Sequence, residues 1–246
     1  MKRTLFLLLM LVCRDPSPVN HSLGADTSWL QGKINAVQDP RFLEIAKMYT
    51  ANRGKIFLHR ETYTAFKKMY QAAKKEGISL MIISGFRSYY DQKNIWENKW
   101  EGNQLVEGIN LKKQIKDPLT RALKILNYSS MPTTSRHHWG TDMDLNALNN
   151  PYFEVNPEGK KIYQWLKENA PLFGFCQPYT TKGIDRNTGY EEEKWHWSYK
   201  PISEQLTKLY LKYINYKDIT GFKGSEYAEK IGIIKNYVQG ISSSCY

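Results

Sequence analysis

Cysteine is scarce: the 246-residue chain holds three, Cys13, Cys176 and Cys245. That excludes a small disulfide-stapled scaffold and a structural zinc module closed by thiolates. With Cys13 set aside, Cys176 and Cys245 form an even pair. In an exported protein they are a candidate disulfide tying the last residues to the body of the fold. No apolar run approaches the ~18 residues of a membrane-spanning helix. Internal repeats and low-complexity tracts are also missing. No serine or cysteine sits in a recognisable nucleophile motif, which disfavours a metal-independent amidase. The formal charge is +11, yet Lys and Arg are dispersed and no nucleic-acid recognition motif accompanies them. Nucleic acid is therefore not the expected partner. Anionic envelope polymers or lipid surfaces fit such a charge better.

What is present begins with Met1-Lys2-Arg3-Thr4, an apolar run from Leu5 to Val12, and Cys13. A basic start before a short apolar segment is the pattern of a secretory signal, so residues 1–13 are set apart from the fold. Cys13 stands where a bacterial lipoprotein carries its anchor, although Val12 occupies a position that normally holds a small residue. The expected product is exported to the periplasm or cell envelope, with membrane anchoring through Cys13. Residues 14–28 read as a polar linker, and 29–246 as a single domain with a helical C-terminal extension.

Within that domain, Tyr63, Phe66, Met69, Tyr70 and Ala73 recur at helical spacing over 61–76, with Gly77 as a stop. Residues 79–83 read as a buried strand and 89–100 as a second helix. Asp117-Pro118 opens a third helix, with Asp at N-cap and Pro at N1. Residues 141–146 read as a strand entered through a turn at Gly140. A helix is expected over 158–169 and a strand over 192–198. On that strand Trp195 and Trp197 share one face, and Lys194, His196 and Ser198 the other. Two more helices are expected, near 204–214 and 226–239. Helices and strands interleave without βαβ regularity, so the fold class is α+β, with a small, mainly antiparallel sheet and flanking helices.

The densest chemistry lies in Ser135-Arg136-His137-His138-Trp139-Gly140-Thr141-Asp142-Met143-Asp144 and in Glu193-Lys194-Trp195-His196. Two imidazoles, a carboxylate ligand and a spare glutamate are the inventory of a catalytic zinc site. Such a site keeps one open position for water and a base beside it. The set points to hydrolysis. His137 and Asp144 are seven apart, so the chain must turn between them to bring both to one point. His138 competes with His137 as ligand, and Asp142 competes with Asp144, whose strand face it shares. Glu193 precedes His196 by an odd offset and must sit in a loop or bulge to reach the same place. Glu191-Glu192-Glu193 also reads as a plain solvated acidic run. The two-His, one-carboxylate set suits iron as well as zinc.

Taken in order, Ser135-x-His137-x-x-Gly140-x-x-x-Asp144 and Glu193-x-Trp195-His196 resemble the zinc D,D- and L,D-peptidases of the bacterial cell wall. That family includes the D-alanyl-D-alanine carboxypeptidases associated with vancomycin resistance. Ser84-Gly85-Phe86-Arg87-Ser88-Tyr89-x-x-Gln92 is similar to a further family segment, with Phe86 in place of Tyr. Asp142 departs from the pattern, standing at a position that is often Ala. The resemblance implies a Hedgehog/DD-peptidase-like fold and one Zn2+ held by His137, Asp144 and His196. It makes Glu193 the general acid/base and Arg87 the group that polarises the scissile carbonyl. Ser135 and Gln92 fall to substrate binding.

By the same resemblance the expected activity is a zinc carboxypeptidase acting on peptidoglycan stem peptides, with D-alanyl-D-alanine as the leading substrate. An L,D-carboxypeptidase and a cross-link endopeptidase are neighbouring alternatives. A non-catalytic metal-containing binding module is the alternative from another class. The presence of both Glu193 and Arg87 argues against it, because a purely structural metal site needs neither.

Overall fold

The computed structural model describes residues 26–50, 54–183 and 185–246. The signal-type segment, Cys13 and most of the expected linker lie outside the described residues. The end of that linker is structured: Asp26 caps the helix Thr27–Leu30 (α1), its side chain accepting from Trp29 N at 3.1 Å.

The chain continues through β1 (Phe42–Glu44), β2 (Phe57–His59), α2 (Arg60–Lys75), β3 (Ile82–Ser84) and α3 (Tyr89–Glu101). Next come α4 (Leu111–Gln114), α5 (Pro118–Ile125), β4 (Asp142–Leu145), α6 (Asn150–Glu154) and α7 (Pro157–Asn169). The last elements are β5 (Phe175–Cys176), β6 (His196–Tyr199), α8 (Lys200–Tyr213) and α9 (Ala228–Ile231). β1 and β2 form a two-stranded ribbon. The other four strands make an antiparallel sheet of order β3-β4-β6-β5. This is the α+β arrangement expected from the sequence.

Local signals set several boundaries. Asp117 caps α5 by accepting from Thr120 N at 2.8 Å, with Pro118 at the first helical position. Ser88 and Asp91 form a reciprocal capping box at the start of α3. The strand expected over 79–83 shifts to 82–84, because its first residues hydrogen-bond the loop at Asn146 instead. The helix expected over 226–239 is interrupted. α9 ends at Gly232, which takes φ +66°, and a five-residue π-type turn, Ile234–Val238, follows. A left-handed glycine closes a helix rather than continuing it.

One face of the large sheet is dry. Met143, Leu145, Trp195 and Trp197 pack against Phe66 and Met69 of α2 and Leu166 of α7. Burying a side chain of this size contributes roughly 1.5–3 kcal/mol. A second cluster joins Trp96 and Trp100 of α3 to Ile125 of α5 and to Phe222 and Ile233 of the C-terminal segment. There Cys176 and Cys245 are disulfide-bonded, with Cα atoms 5.6 Å apart. The C-terminal residues are thereby fixed to β5, next to the strand that carries His196. Among the described residues, no helix is long and apolar enough to cross a membrane.

Candidate active site

The other face of the sheet is polar, and its register builds the site. β4 and β6 pair Asp142 with Ser198, Met143 with Trp197, and Asp144 with His196. Strand alternation therefore sends the apolar pair into the core and aims Asp142, Asp144, His196 and Ser198 at the opposite side. His137 arrives from a 3-10 helix, Arg136–Trp139, which ends at Gly140 in the left-handed region (φ +70°). A Cβ at Gly140 would lie 2.4 Å from Phe42 Cε1 and 2.9 Å from His59 N, so the turn demands glycine on both counts. This is the turn between His137 and Asp144 that their spacing required.

The segment around Arg87 locks this helix in place. His137 Nδ1 donates to Gly85 O at 2.7 Å, and Arg87 N donates to His137 O at 3.2 Å. His138 uses both nitrogens structurally: Nδ1 donates to Arg87 O at 2.7 Å, and Nε2 accepts from Thr133 N at 3.1 Å. These partners set the adjacent histidines apart. His138 clamps, while His137 has Nε2 free and facing Asp144 Oδ1 at 3.4 Å.

His196 is held from behind as well. Its Nε2 lies 3.0 Å from Asp142 Oδ1, which leaves Nδ1 pointing at Asp144 Oδ1 (3.4 Å) and Glu193 Oε2 (3.2 Å). Ligand atoms of His137, Asp144 and His196 all lie within 4.8 Å of one another, and all three residues are buried. His137 Nε2 and Asp144 Oδ1 have no hydrogen-bond partner. Orphaned buried donors and acceptors are rare, and two of them converging with a third nitrogen fit a metal ion.

Asp142, the competing carboxylate, is fully buried and occupied. Its Oδ1 also accepts from Arg136 Nε at 2.9 Å, and its Oδ2 accepts from Thr141 Oγ1 at 2.6 Å and Ser198 Oγ at 3.0 Å. Arg136 is completed by Ser198 Oγ and Thr207 Oγ1. Sequence reading left this network unassigned. The shared strand face of Asp142 was legible, but its pairing with Ser198 and the inward turn of Arg136 depend on register.

Glu193 sits in the turn before β6, its backbone carbonyl 3.2 Å from His196 N. The three consecutive glutamates part company. Glu191 pairs with Lys182 and Glu192 with Lys194, while Glu193 is 5% exposed and faces His196. Burial raises the Glu193 carboxyl above its ordinary range, against the pull of His196. For His196, burial opposes the charged form, but the hydrogen bonds to Asp142 and Glu193 prevail and push its pKa up to about 9. Burial alone would raise Asp144, and the neighbouring His137 overrides it, holding Asp144 at about 2.

The cluster opens into a cavity of about 530 Å3 whose lining includes Arg87, Lys99, Tyr128, Asp144, Glu193 and Trp195. Arg87 Nε has no partner. Gln92 and Ser135, expected at the substrate, are buried and do not line this cavity. Gln92 Nε2 donates to Ser130 O at 2.8 Å, and Ser135 Oγ has no partner.

Fold and site together define a class: an α+β scaffold with a buried two-histidine, one-carboxylate cluster, and a buried glutamate beside it, opening on a cleft. Residues 55–202 match the model of the VanY family, D-alanyl-D-alanine carboxypeptidase, and the chain belongs to that family. The chain is 33% identical to YodJ of Bacillus subtilis (strain 168) over 183 residues, covering 72% of this chain and 55% of YodJ. It is 28% identical over 142 residues to the D-alanyl-D-alanine carboxypeptidase of Enterococcus faecalis (strain ATCC 700802 / V583), covering 58% of this chain and 47% of that protein. It thus spans about half the length of these curated relatives. Among solved structures, the LdcB LD-carboxypeptidase superposes with a TM-score of 0.51 at 25% identity, covering 74% of this chain and 80% of LdcB. VanYB in complex with D-Alanine-D-Alanine gives a TM-score of 0.50 at 22% identity, covering 80% and 92% of the two chains, which bears on the fold.

Proposed function

We propose that the chain is a zinc-dependent carboxypeptidase that hydrolyses a peptide bond in peptidoglycan stem peptides, with D-alanyl-D-alanine as its leading substrate. The observation that carries this reading is the convergence of three buried ligand atoms beside a buried, protonatable glutamate at the floor of an open cleft. His137 Nε2, Asp144 Oδ1 and His196 Nδ1 would hold the ion. When bound, zinc supplies Lewis acidity that polarises a carbonyl and makes water more acidic.

The rest of the chemistry falls to the polypeptide. The Glu193 carboxylate takes a proton from the attacking water as oxygen adds to the scissile carbonyl carbon. The Arg87 guanidinium, at the cleft wall with a free Nε, meets the charge that develops on the carbonyl oxygen. One such donor contributes on the order of 3 kcal/mol to the transition state. Glu193 then returns the proton to the leaving nitrogen as the C–N bond breaks. Its burial-raised pKa suits a group that must both accept and donate. Ser135 Oγ is a buried hydroxyl without a hydrogen-bond partner. Gln92 steadies the backbone of Ser130, the residue after Ser129 of the cleft lining.

The likeness to an LD-carboxypeptidase at 25% identity favours a second reading, in which the bond cleaved joins an L-residue to the terminal D-residue. Residues 29–246 form the peptidase unit in either case. Because peptidoglycan lies outside the cytoplasmic membrane, the protein works in the cell envelope after export, and Cys13 is its lipid anchor. Purified protein should be incubated with defined muropeptides ending in D-Ala-D-Ala or in an L-to-D bond, and the released residue identified by mass spectrometry. Release of one D-alanine, lost in chelator and restored by zinc, is expected. Release of internal fragments alone, or unchanged activity in chelator, would overturn the proposal.

A further inference from the structure

The charged lining of the cleft is unbalanced near Lys99. Five ionisable side chains of strong charge line it: Arg87 and Lys99 against Glu107, Asp144 and Glu193. Asp144 and Glu193 belong to the metal-type cluster. Glu107 is engaged by Lys124 and accepts from Asn127 Nδ2 at 3.2 Å. Arg87 is committed to the scissile carbonyl in the reading above. Lys99, in the last turn of α3, is left with a duty unassigned. Among the described residues its Nζ bonds Ser129 Oγ, and no carboxylate forms an ion pair with it.

A partly buried ammonium without a counter-ion is unusual, because lysines removed from water are normally paired. Burial depresses the Lys99 amine to about 8, with the nearby Arg87 adding to the effect and Glu193 opposing it without forming an ion pair, so the net environment still disfavours a charge here. An arriving anion would supply the missing partner. The geometry of exopeptidase cleavage says which anion. In a peptide shortened by one residue, the free carboxylate sits one residue beyond the scissile carbonyl, about 3.5 Å of chain away. Its receptor must therefore lie in the same cleft as the cluster, and a cation there makes the stronger, charge-assisted contact. Lys99 is the cation there that has neither an acidic partner nor a proposed role.

We infer that Lys99 is the receptor for the free C-terminal carboxylate of the substrate peptide, with Ser129 holding its ammonium in place, and that this pair makes the site an exopeptidase. The inference rests on the peptidase reading. A stem peptide also carries side-chain carboxylates, which share the same chemistry and must be separated from the terminus by experiment.

Zinc-loaded wild type, Lys99→Met and Lys99→Arg should be compared on peptides ending in D-Ala-D-Ala as the free acid and as the C-terminal amide. Wild type is expected to prefer the acid. Lys99→Met should raise KM for the acid tenfold or more, leave the amide unchanged and bring the acid-to-amide ratio near one. Lys99→Arg should keep most of the preference. Calorimetric titration with D-alanyl-D-alanine and its amide reads the same discrimination without turnover. An acid-to-amide ratio in Lys99→Met equal to that of wild type would overturn the inference. So would discrimination that follows amidation of a side-chain carboxylate instead of the terminus. If no muropeptide is cleaved, the proposed function fails, and the titrations still decide the role of Lys99.

Discussion

Asp142 Oδ1 lies 3.0 Å from His196 Nε2, on the ring edge opposite the one that faces Asp144 and Glu193. A carboxylate behind a ligating histidine fixes the ring's orientation and tautomer and increases its basicity. Asp142 is itself fixed by Arg136, Thr141 and Ser198, so the His196 ring is held through three further side chains. Asp142→Asn keeps the shape and removes the charge. It is expected to weaken zinc binding by about ten- to a hundredfold, measured by competition with a chromogenic chelator. Asp142→Ala should in addition unfold at lower urea, because it strands the buried Arg136 at a cost of about 3–5 kcal/mol. Unchanged zinc affinity in Asp142→Asn would show that the contact is passive.

Glu193 is near the cluster without being one of its three convergent residues. Glu193→Gln is therefore expected to retain zinc and peptide binding while kcat falls by roughly 10²–10⁴-fold. Metal analysis of the purified variant and a titration with D-alanyl-D-alanine separate the two effects. A variant that loses its metal along with its activity would instead make Glu193 a ligand.

Much of this candidate site is legible in the sequence, and the reason is periodicity. Trp195-His196-Trp197 alternates apolar and polar residues, so a strand there must bury the tryptophans and turn the imidazole away from them. The structure does this even though Trp195 lies just before β6 begins. The distance between His137 and Asp144 demanded a turn, and Gly140 supplied it. What stayed hidden depends on register and on side-chain partners. Nothing in the spacing says that Asp142 pairs with Ser198, or that His138 spends both nitrogens on backbone groups. The 226–239 segment reads as one amphipathic helix, and only the left-handed backbone at Gly232 divides it. Lys99 gave no sequence signal at all, since a lysine at the end of a helix usually points to solvent.

The Cys176–Cys245 bond closes a loop with a sequence separation of 69 residues and joins the C-terminus to the strand beside β6. Cross-linking a loop of this length restricts the unfolded chain by about 4 kcal/mol in the chain-entropy description. Cys245→Ala, or reduction under native conditions, is expected to lower the unfolding free energy read from urea titration by an amount of that order or somewhat less. Zinc affinity should change little, because the metal-type ligands are held by β4, β6 and the 136–139 helix. Equal unfolding free energies for oxidised and reduced protein would mean that the bond does not restrict the unfolded chain to this extent.

His59 sets the acid limit of stability. Its ring stacks on Trp29 with centroids 5.7 Å apart, and its Nδ1 accepts from Glu61 N at 3.4 Å at the start of α2, a role open only to the neutral ring. Burial, with help from Arg41, lowers its pKa from 6.5 to about 4. The folded pKa is thus below the unfolded one, and the unfolded chain takes up its proton first as pH falls. The stabilisation that His59 contributes is complete above pH 6.5 and is lost progressively down to about pH 4. A shift of this size corresponds to roughly 3 kcal/mol. His59→Gln retains an acceptor that does not titrate. Urea unfolding of the two proteins between pH 7 and pH 4 should therefore give curves that converge as the solution is acidified. Parallel curves would mean that the His59 ring accepts its proton inside the fold without penalty.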